Sequence, residues 1–255
     1  MISIYCSPCH DLSDSISTEC LSKVEQQKVD RYVFERDRKN STFAHVFKRN
    51  VLARHLSCKP REVAIDLEPG RRPVLSHYSA EQIDFNLSHS RNWVVMAVSE
   101  NLNRIGVDIE FQRDNLDYAG MAERVFSQAE QKQLASLEGC ARQSYFYQIW
   151  TIKESISKAL GLGMKIGFGK IDINIEGGNS YLKSIPSLIK DWQIVGFELN
   201  QTFSLAIALQ SITEISQVNI YSPDINQDKL TFFTALNGIQ QSGIHRYELP
   251  SDLNF

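Results

Sequence analysis

Apolar side chains recur along the chain with two spacings, which separate predicted helices from predicted strands. Steps of three and four residues are typical of a helix lying on a core, whereas alternation or a short apolar run is typical of a strand. The helical spacing covers residues 18–30, 40–57, 118–124, 127–137 and 142–160. The strand patterns cover residues 2–5, 63–67, 83–87, 93–98, 105–110, 168–176, 193–199 and 203–209. Helices and strands are segregated rather than strictly alternating, so the pattern predicts an α+β fold.

The helix predicted over residues 142–160 has the most regular stripe in the chain. Its apolar side consists of Tyr145, Ile149, Ile152, Ile156 and Leu160, and Gly161 supplies the stop. Glu154 and Lys158 are four residues apart and therefore share one face of this helix. Taken alone, they are interpreted as a surface ion pair worth a few tenths of a kcal/mol.

Two further helices are predicted in the first half of the chain. In the first, residues 18–30, Leu21, Val24 and Val29 form the predicted apolar side. The second begins with Asn40 or Ser41 as its cap and ends before Pro60. Its predicted inward residues are Phe43, Phe47, Val51 and Leu56.

Composition and charge narrow the functional classes. The chain has 255 residues, enough for one large domain or two smaller ones, and no apolar run long enough to cross a bilayer. A net charge of -3 argues against general nucleic-acid binding. Residues 40–60 nevertheless contain several basic residues and no acid, which predicts a local anion site. From about residue 221 the chain reads as a polar tail, apart from residues 230–236.

The five cysteines favour a reducing compartment. Their number is odd and the N-terminus has no secretory pattern, so we expect a cytoplasmic protein with free thiols. Cys6 and Cys9, followed by His10, match the C-x-x-C-H pattern of haem attachment. That chemistry needs export, and a zinc site would need a second pair of ligands, so the match is interpreted as a coincidence.

Two acids lie on one face of a predicted strand. In residues 105–110, Val107 and Ile109 face one way, while Asp108 and Glu110 face the other, about 7 Å apart. Two such carboxylates repel each other unless a cation or a proton lies between them. The plain alternative is a half-exposed edge strand.

Asp108, Glu110 and Glu154 together suggest a magnesium site. Mg²⁺ prefers carboxylate oxygens shared with water and phosphate oxygens. Arg72, which follows a turn, and His89 could meet phosphate charge. Lys158 could stabilise developing charge. The residues alone therefore predict Mg²⁺-dependent phosphate chemistry on a polyanionic small molecule, without a P-loop or a Rossmann nucleotide site.

Three motifs carry a resemblance to a known family. They are Phe-Asn-Leu-Ser-His-Ser at residues 85–90, Gly-Val-Asp-Ile-Glu at 106–110, and W-x-x-K-E-x-x-x-K-x-x-G at 150–161. In order and spacing they resemble the signatures of 4′-phosphopantetheinyl transferases, of the larger surfactin-synthetase-activating type. The resemblance covers about residues 20–210. It implies a pseudo-twofold pair of α+β subdomains, each an antiparallel sheet packed on a long helix, over residues 1–103 and 104–255.

The resemblance also implies a reaction and its residues. The family moves the phosphopantetheine arm of coenzyme A to a serine of a carrier-protein domain and releases adenosine 3′,5′-bisphosphate. Asp108, Glu110 and Glu154 would hold Mg²⁺, with Glu154 also the base and Lys158 steadying the leaving group. Coenzyme A would be bound by residues of the first half and its motif: His89, Ser88, Arg72, Lys28, Arg31, His45 and Arg49.

One position departs from the family pattern. His45 stands where the family usually has an arginine for coenzyme A. Either Arg49 compensates, or coenzyme A binding depends more strongly on pH. Arg72 likewise stands where the family usually has a lysine.

The resemblance extends to partners. Expected partners are apo acyl or peptidyl carrier domains of fatty acid, polyketide or nonribosomal peptide synthases, with secondary-metabolite synthases favoured. Docking is placed on residues 111–126, with Met121, Val125 and Phe126 as contacts or, alternatively, as ordinary core. A monomer is expected, without nucleic-acid or membrane partners.

Two other functions remain open from the residues. A Mg²⁺-dependent hydrolase of a phosphate anhydride would use the same acids without a carrier protein. A non-catalytic module that binds coenzyme A or a carrier protein would not need all of Asp108, Glu110, Glu154 and Lys158.

Overall fold

The computed structural model describes residues 2–9, 17–69, 72–76, 83–100, 104–176, 179–184, 192–199, 202–210, 218–221 and 230–236. The helices in these ranges are α1 (Lys23–Asp30), α2 (Glu35–Leu56), α3 (Tyr118–Val125), α4 (Gln128–Ala135) and α5 (Gly139–Leu160). The strands are β1 (Ile2–Pro8), β2 (Ile65–Leu67), β3 (Pro73–Leu75), β4 (Ile83–Ser90), β5 (Trp93–Glu100), β6 (Ile105–Phe111), β7 (Asp172–Glu176), β8 (Asn179–Ser184), β9 (Trp192–Leu199), β10 (Phe203–Gln210), β11 (Val218–Tyr221) and β12 (Leu230–Leu236).

Two larger sheets and one hairpin organise these strands. One sheet has the order β11-β1-β5-β4, and the other has the order β6-β10-β9-β12-β8-β7. Neighbouring strands are antiparallel except for β1 with β11 and β8 with β12. The predicted antiparallel sheets therefore each include one parallel pair.

The layers run from helix to sheet to sheet to helix. Helix α2 buries Phe47 and Val51 against Phe85, Val94 and Met96 of the four-stranded sheet. Helix α5 packs its stripe against β9 and β10 of the six-stranded sheet. Residues of β1, β5, β6, β9 and β10 fill the space between the two sheets. The predicted α+β fold, with each sheet on a long helix, is confirmed.

Strand β6 separates the inter-sheet core from the face that meets α5. Ile105, Val107 and Ile109 are fully buried between the sheets. Gly106 faces α5, and a Cβ placed there would lie 2.0 Å from the carbonyl oxygen of Ser155. A residue without a side chain is therefore required for β6 and α5 to approach this closely.

We expect Gly106→Ala to push α5 away from β6. The added Cβ would also lie 2.7 Å from the backbone nitrogen of Ala159, and backbone atoms cannot rotate aside. Overpacking of this kind costs about 1–3 kcal/mol, to be measured by urea unfolding. Gly169→Ala is the control, since a Cβ at Gly169 would lie 3.8 Å from the carbonyl oxygen of Phe126, an ordinary contact distance. Equal stability of the two variants would contradict this close packing.

Both N-terminal helices differ from their predicted bounds. Helix α1 begins at Lys23, not at residue 18, because Ser22 and Glu25 form a capping box there. The prediction that Val24 faces inward is wrong, since it is 70% exposed. Helix α2 begins at Glu35, so neither Asn40 nor Ser41 is its cap. The charged residues 36–39 instead form the first turn of α2.

Other predicted bounds change less. Helix α5 begins at Gly139, and its predicted stripe is buried apart from Leu160, which is partly buried. Strand β7 begins at Asp172, because Phe168–Lys170 is a 3-10 turn. Strand β4 continues through Ser90 instead of ending before Ser88, since Ser88 and Ser90 pair with Val95 and Trp93 of β5. The predicted turn at residues 177–178 lies outside the described residues.

Two strands come from the C-terminal part of the chain. β12 pairs with β9 and β8, and β11 pairs with β1 in the four-stranded sheet. The expected polar tail therefore contributes β12 to a sheet. Because β11 joins the sheet of the first half, the division at residues 103–104 stays a prediction.

The cysteines, all of which lie in the described ranges, form no disulfide bonds. All five cysteines are free thiols. Burial raises the pKa of both Cys6 and Cys9 to about 12, so both are protonated near neutral pH. Within the described ranges, no helix is long and apolar enough to span a membrane.

Candidate functional site

Three acids and a lysine meet where β6 lies against α5. Asp108 is buried on β6, and its Oδ1 lies 2.6 Å from Lys158 Nζ on α5. Lys158 also donates to Ser88 Oγ on β4 at 2.7 Å. Lys158 therefore pairs with Asp108, instead of forming the simple surface pair with Glu154 that their spacing suggested.

Burial and mutual repulsion act on the three carboxylates. Burial raises the pKa of Asp108 above its usual range, against the opposing charge of Lys158. Burial and the charge of Asp108 together raise the pKa of Glu110 to about 7. The same two causes, in the same order, raise the pKa of Glu154. The three groups are close enough to interact, and one lysine does not neutralise them.

Glu110 is held by two polar neighbours. Ser90 Oγ donates to Glu110 Oε2 at 3.0 Å, and the indole of Trp150 provides a second hydrogen bond. Trp150 stacks on Phe146 of the same helix, with ring centroids 6.1 Å apart. Trp150, which begins the third motif, therefore helps to hold Glu110 of the second motif in place.

The residues present fit a divalent cation bound by oxygen. Asp108 Oδ2 is buried and finds no hydrogen-bond partner among the described residues. Glu110 and Glu154 are neighbouring carboxylates with raised pKa values, which a cation would relieve. In the part of the chain that the structure describes, no three acidic, His or Cys side chains already form a closed metal cluster.

A buried ionic cluster occupies the basic segment of α2. Glu25 Oε1 lies 2.8 Å from Lys48 Nζ and 3.3 Å from His45 Nδ1, and Glu25 Oε2 lies 2.6 Å from Arg49 Nε. Burial opposes ionisation of Glu25, but the hydrogen bond from His45 and the charge of Lys48 hold its pKa well below the usual range. Arg49 also donates to the carbonyls of Pro60 and Val63. Arg49 thus makes internal bonds. Lys48, which was not among the predicted coenzyme A residues, places its Nζ 3.2 Å from His45 Nδ1.

The other predicted coenzyme A residues divide into exposed and buried groups. Lys28, Arg31 and His89 are exposed. Partial burial of the His89 ring, followed by the charges of Lys158, Lys28 and His45, lowers the pKa of His89. His89 therefore lies between the acids at β6 and the basic groups of α1 and α2.

Arg72 is buried and bound to acceptors of the protein itself. Its side chain is 2% exposed and makes a double hydrogen bond to Asp84, at 2.8 and 2.7 Å. It also donates to the carbonyls of Phe85, Ile105 and Lys158. Arg72 thus joins β4, β6 and the end of α5, and its guanidinium faces protein acceptors.

Lys153, in the third motif, is a fully buried cation that the sequence reasoning did not single out. Its Nζ donates to Glu130 Oε2 at 2.5 Å and to the carbonyls of Val125 and Phe168 at 3.0 and 2.9 Å. The other oxygen of Glu130 accepts from the backbone of Ile173 at 2.8 Å. This pair fixes α3, α4 and β7 to α5 immediately before Glu154.

The apolar residues predicted as carrier contacts are divided between the core and the partly buried surface. Val125 and Phe126 are 2% and 3% exposed and pack in the α5 cluster, so both are wrong as surface contacts. Met121 packs against the same cluster but is only partly buried. The alternative interpretation of these residues as core holds for Val125 and Phe126.

The structure brings together the residues of all three motifs. Ser88, Asp108 and Lys158 form one hydrogen-bonded group, with Glu110 and Glu154 beside it. Ser90 was not predicted as a site residue. Polar residues at alternate positions of β4 are the signal that could have revealed it.

Two family models match adjacent parts of the chain. Residues 10–101 match "4′-phosphopantetheinyl transferase, N-terminal", and residues 104–208 match the "4′-phosphopantetheinyl transferase superfamily". Together they span nearly all of residues 10–208, which include every residue of the site described above.

Named relatives agree with the family models. The 4′-phosphopantetheinyl transferase HetI of Nostoc is 34% identical over 62% of this chain and 65% of its own length. The L-aminoadipate-semialdehyde dehydrogenase-phosphopantetheinyl transferase of Xenopus laevis is 25% identical over 87% of this chain and 78% of its own. The 4′-phosphopantetheinyl transferase Sfp of Bacillus subtilis is 23% identical over 73% and 81%. A putative 4′-phosphopantetheinyl transferase of Synechocystis is 33% identical over 59% of this chain and 61% of its own length. The chain thus spans less than two thirds of the length of this relative and of HetI.

Proposed function

We propose that this chain transfers the phosphopantetheine arm of coenzyme A to a serine of an apo carrier-protein domain. The chain belongs to the 4′-phosphopantetheinyl transferase superfamily, and this is the reaction of that family. Adenosine 3′,5′-bisphosphate is the second product. The observation that carries this proposal is the group of Asp108, Glu110, Glu154 and Lys158, gathered where β6 meets α5. The sequence reasoning reached the same residues from their spacing.

Asp108, Glu110 and Glu154 are proposed to hold Mg²⁺. The unpartnered Oδ2 of Asp108 and the raised pKa values of the two glutamates support a cation at this position. When bound, Mg²⁺ supplies positive charge to the pyrophosphate oxygens of coenzyme A.

Glu154 is proposed as the base. Its raised pKa makes its carboxylate a stronger proton acceptor than an exposed glutamate. It takes the proton of the carrier serine as the serine oxygen bonds to the phosphorus attached to pantetheine. The bond from that phosphorus to the bridging oxygen of the pyrophosphate breaks, and the electron pair leaves with adenosine 3′,5′-bisphosphate.

Lys158 is proposed to stabilise the leaving phosphate. An ammonium group has three donors, and Ser88 and Asp108 accept two of them. The side chain is 30% exposed, so the remaining donor can reach a bound oxygen. Charge stabilisation by a preoriented donor is among the larger contributions to catalysis.

Coenzyme A phosphates away from the reacting centre are proposed to bind His89, Lys28 and Arg31. These exposed groups lie on the side of the site formed by α1, α2 and β4. His45 lies next to this surface. Arg49, Arg72 and Ser88 are proposed to support the site through the internal bonds described above.

The carrier partners are proposed to be acyl or peptidyl carrier domains of fatty acid, polyketide or nonribosomal peptide synthases. A monomer suffices, because one chain supplies all the proposed site residues, with the three acids and Lys158 on β6 and α5. Free cysteines, two of them with strongly raised pKa values, are compatible with a reducing compartment such as the cytoplasm.

Intact-mass measurement on a panel of apo carrier proteins tests this function. Each carrier is incubated with the protein, coenzyme A and Mg²⁺. We expect at least one carrier to gain the mass of one phosphopantetheine group while adenosine 3′,5′-bisphosphate appears. Cleavage of coenzyme A without transfer would instead support the hydrolase. Binding of coenzyme A or carrier without reaction would support the non-catalytic module.

A further inference from the structure

Strand β4 covers the free edge of β6 with side chains instead of its backbone. Four polar residues at alternate positions of β4 each accept one backbone N–H of β6. Asp84, Asn86, Ser88 and Ser90 accept from Ile105, Val107, Ile109 and Phe111, at 2.8, 3.0, 3.4 and 3.0 Å. The edge donors of β6 are thereby satisfied, and the two sheets are joined next to the site.

The two serines of this row have a second role that Asn86 lacks. A hydroxyl has one proton to donate in addition to its acceptor lone pairs. Ser88 donates to Asp108 Oδ1 and Ser90 donates to Glu110 Oε2, both at 3.0 Å. Each serine therefore binds the backbone N–H of one β6 residue and the carboxylate of the residue before it.

These bonds orient the carboxylates. Asp108 Oδ1 is occupied by Ser88 and Lys158, whereas its buried Oδ2 has no hydrogen-bond partner among the described residues. In Glu110, Ser90 fixes Oε2 in the same way, one step further along both strands. Ser88 thus keeps one oxygen of Asp108 in place and leaves the other for a ligand, while Ser90 keeps one oxygen of Glu110 in place.

We infer that Ser90, together with Ser88, is a positioning residue for a divalent cation, fixing Glu110 and Asp108 in the orientation that binds it. This inference rests on the magnesium site of the proposed function. Outer hydrogen bonds to metal-binding carboxylates commonly change metal affinity by about 10- to 100-fold. Ser90 is the clearer test, because Ser88 also contacts Lys158.

Three variants distinguish positioning of the carboxylates from simple hydrogen bonding to the backbone edge of β6. Ser90→Ala removes both bonds of the hydroxyl, and Ser90→Thr keeps a hydroxyl in place. Asn86→Ala removes a bond to a β6 N–H but touches neither carboxylate, so it is the matched control. Mn²⁺, a paramagnetic substitute for Mg²⁺, is titrated into each full-length protein with coenzyme A present, and free Mn²⁺ is measured by electron paramagnetic resonance. Thermal unfolding is recorded on the same samples.

We expect Ser90→Ala to bind Mn²⁺ about 10- to 100-fold more weakly than the parent. Ser90→Thr should remain within about threefold, and Asn86→Ala should bind like the parent despite lower thermal stability. If Ser90→Ala does not fold, Ser90→Cys carries the same expectation, because a thiol is a weak donor. Unchanged Mn²⁺ affinity in Ser90→Ala, or an equal loss in Asn86→Ala, would overturn the positioning role. Absence of Mn²⁺ binding in the parent would remove the magnesium site and the positioning role together, whereas carrier transfer is measured separately.

Discussion

Replacing Glu154 by glutamine should lower phosphopantetheine transfer by at least about 1000-fold. The change removes a proton acceptor, and loss of a general base alone costs about 100- to 10,000-fold. It also removes one of the three carboxylates assigned to the cation. The rate is measured as carrier mass gained per minute under saturating coenzyme A.

The fold of Glu154→Gln should be intact. Burial and the charge of Asp108 already disfavour the ionised form of Glu154, so a neutral amide of the same size removes repulsion instead of a stabilising bond. The thermal midpoint should therefore equal that of the parent or exceed it. Glu138→Gln is the control, since Glu138 is exposed at the start of the same helix and makes no capping bond. Full activity in Glu154→Gln would rule out its assigned roles.

Replacing Lys153 by methionine should cost about 3–5 kcal/mol of unfolding free energy. Lys153 and Glu130 have side chains that are 1% and 0% exposed, so loss of the cation leaves a carboxylate buried without its partner. The carbonyls of Val125 and Phe168 lose their donor as well. Urea unfolding at neutral pH measures the change.

A double variant separates the loss of charge balance from loss of packing. Adding Glu130→Gln to Lys153→Met removes the unpaired charge while leaving an oxygen to accept from Ile173. We expect the double variant to be clearly more stable than Lys153→Met alone. Lys132→Met, at an exposed position of α4, should change stability by less than about 0.5 kcal/mol. A Lys153→Met protein as stable as the parent would contradict the structural role of the pair.

The helix that carries Glu154 and Lys158 could be predicted from sequence because its stripe is local. Tyr145, Ile149, Ile152 and Ile156 repeat at helical spacing, and all four are buried. The strand with Asp108 and Glu110 could be predicted equally well, because apolar and acidic residues alternate along it. The chemistry of the site followed because its acids lie on these two regular elements.

The supports of the site could not be predicted in this way. Ser90 lay beyond the strand predicted over residues 83–87, and its contact with Glu110 depends on β4 lying beside β6. Arg49 and Arg72 looked like phosphate ligands, because a sequence window does not show the internal acceptors, such as Glu25 and Asp84, that bind them. Lys153 could not be distinguished from an exposed lysine for the same reason.

Helix starts were misplaced for a local reason. In α2, the first turn precedes the predicted cap at Asn40 or Ser41, and Glu35 and Lys39 form an ion pair across that turn at 3.1 Å. In α1, the capping box of Ser22 and Glu25 decides the start over the weaker apolar spacing that begins at residue 18. The capping box therefore locates the start of α1, whereas α2 begins after Phe34 without a side-chain cap.

The most direct test of the account is the intact mass of an apo carrier protein after incubation with the parent protein and coenzyme A, with Mg²⁺ or with a chelator. The account predicts the gain of one phosphopantetheine group on the carrier serine with Mg²⁺, and no gain with the chelator. Carriers that keep their apo mass in both samples, across acyl and peptidyl types, would contradict it.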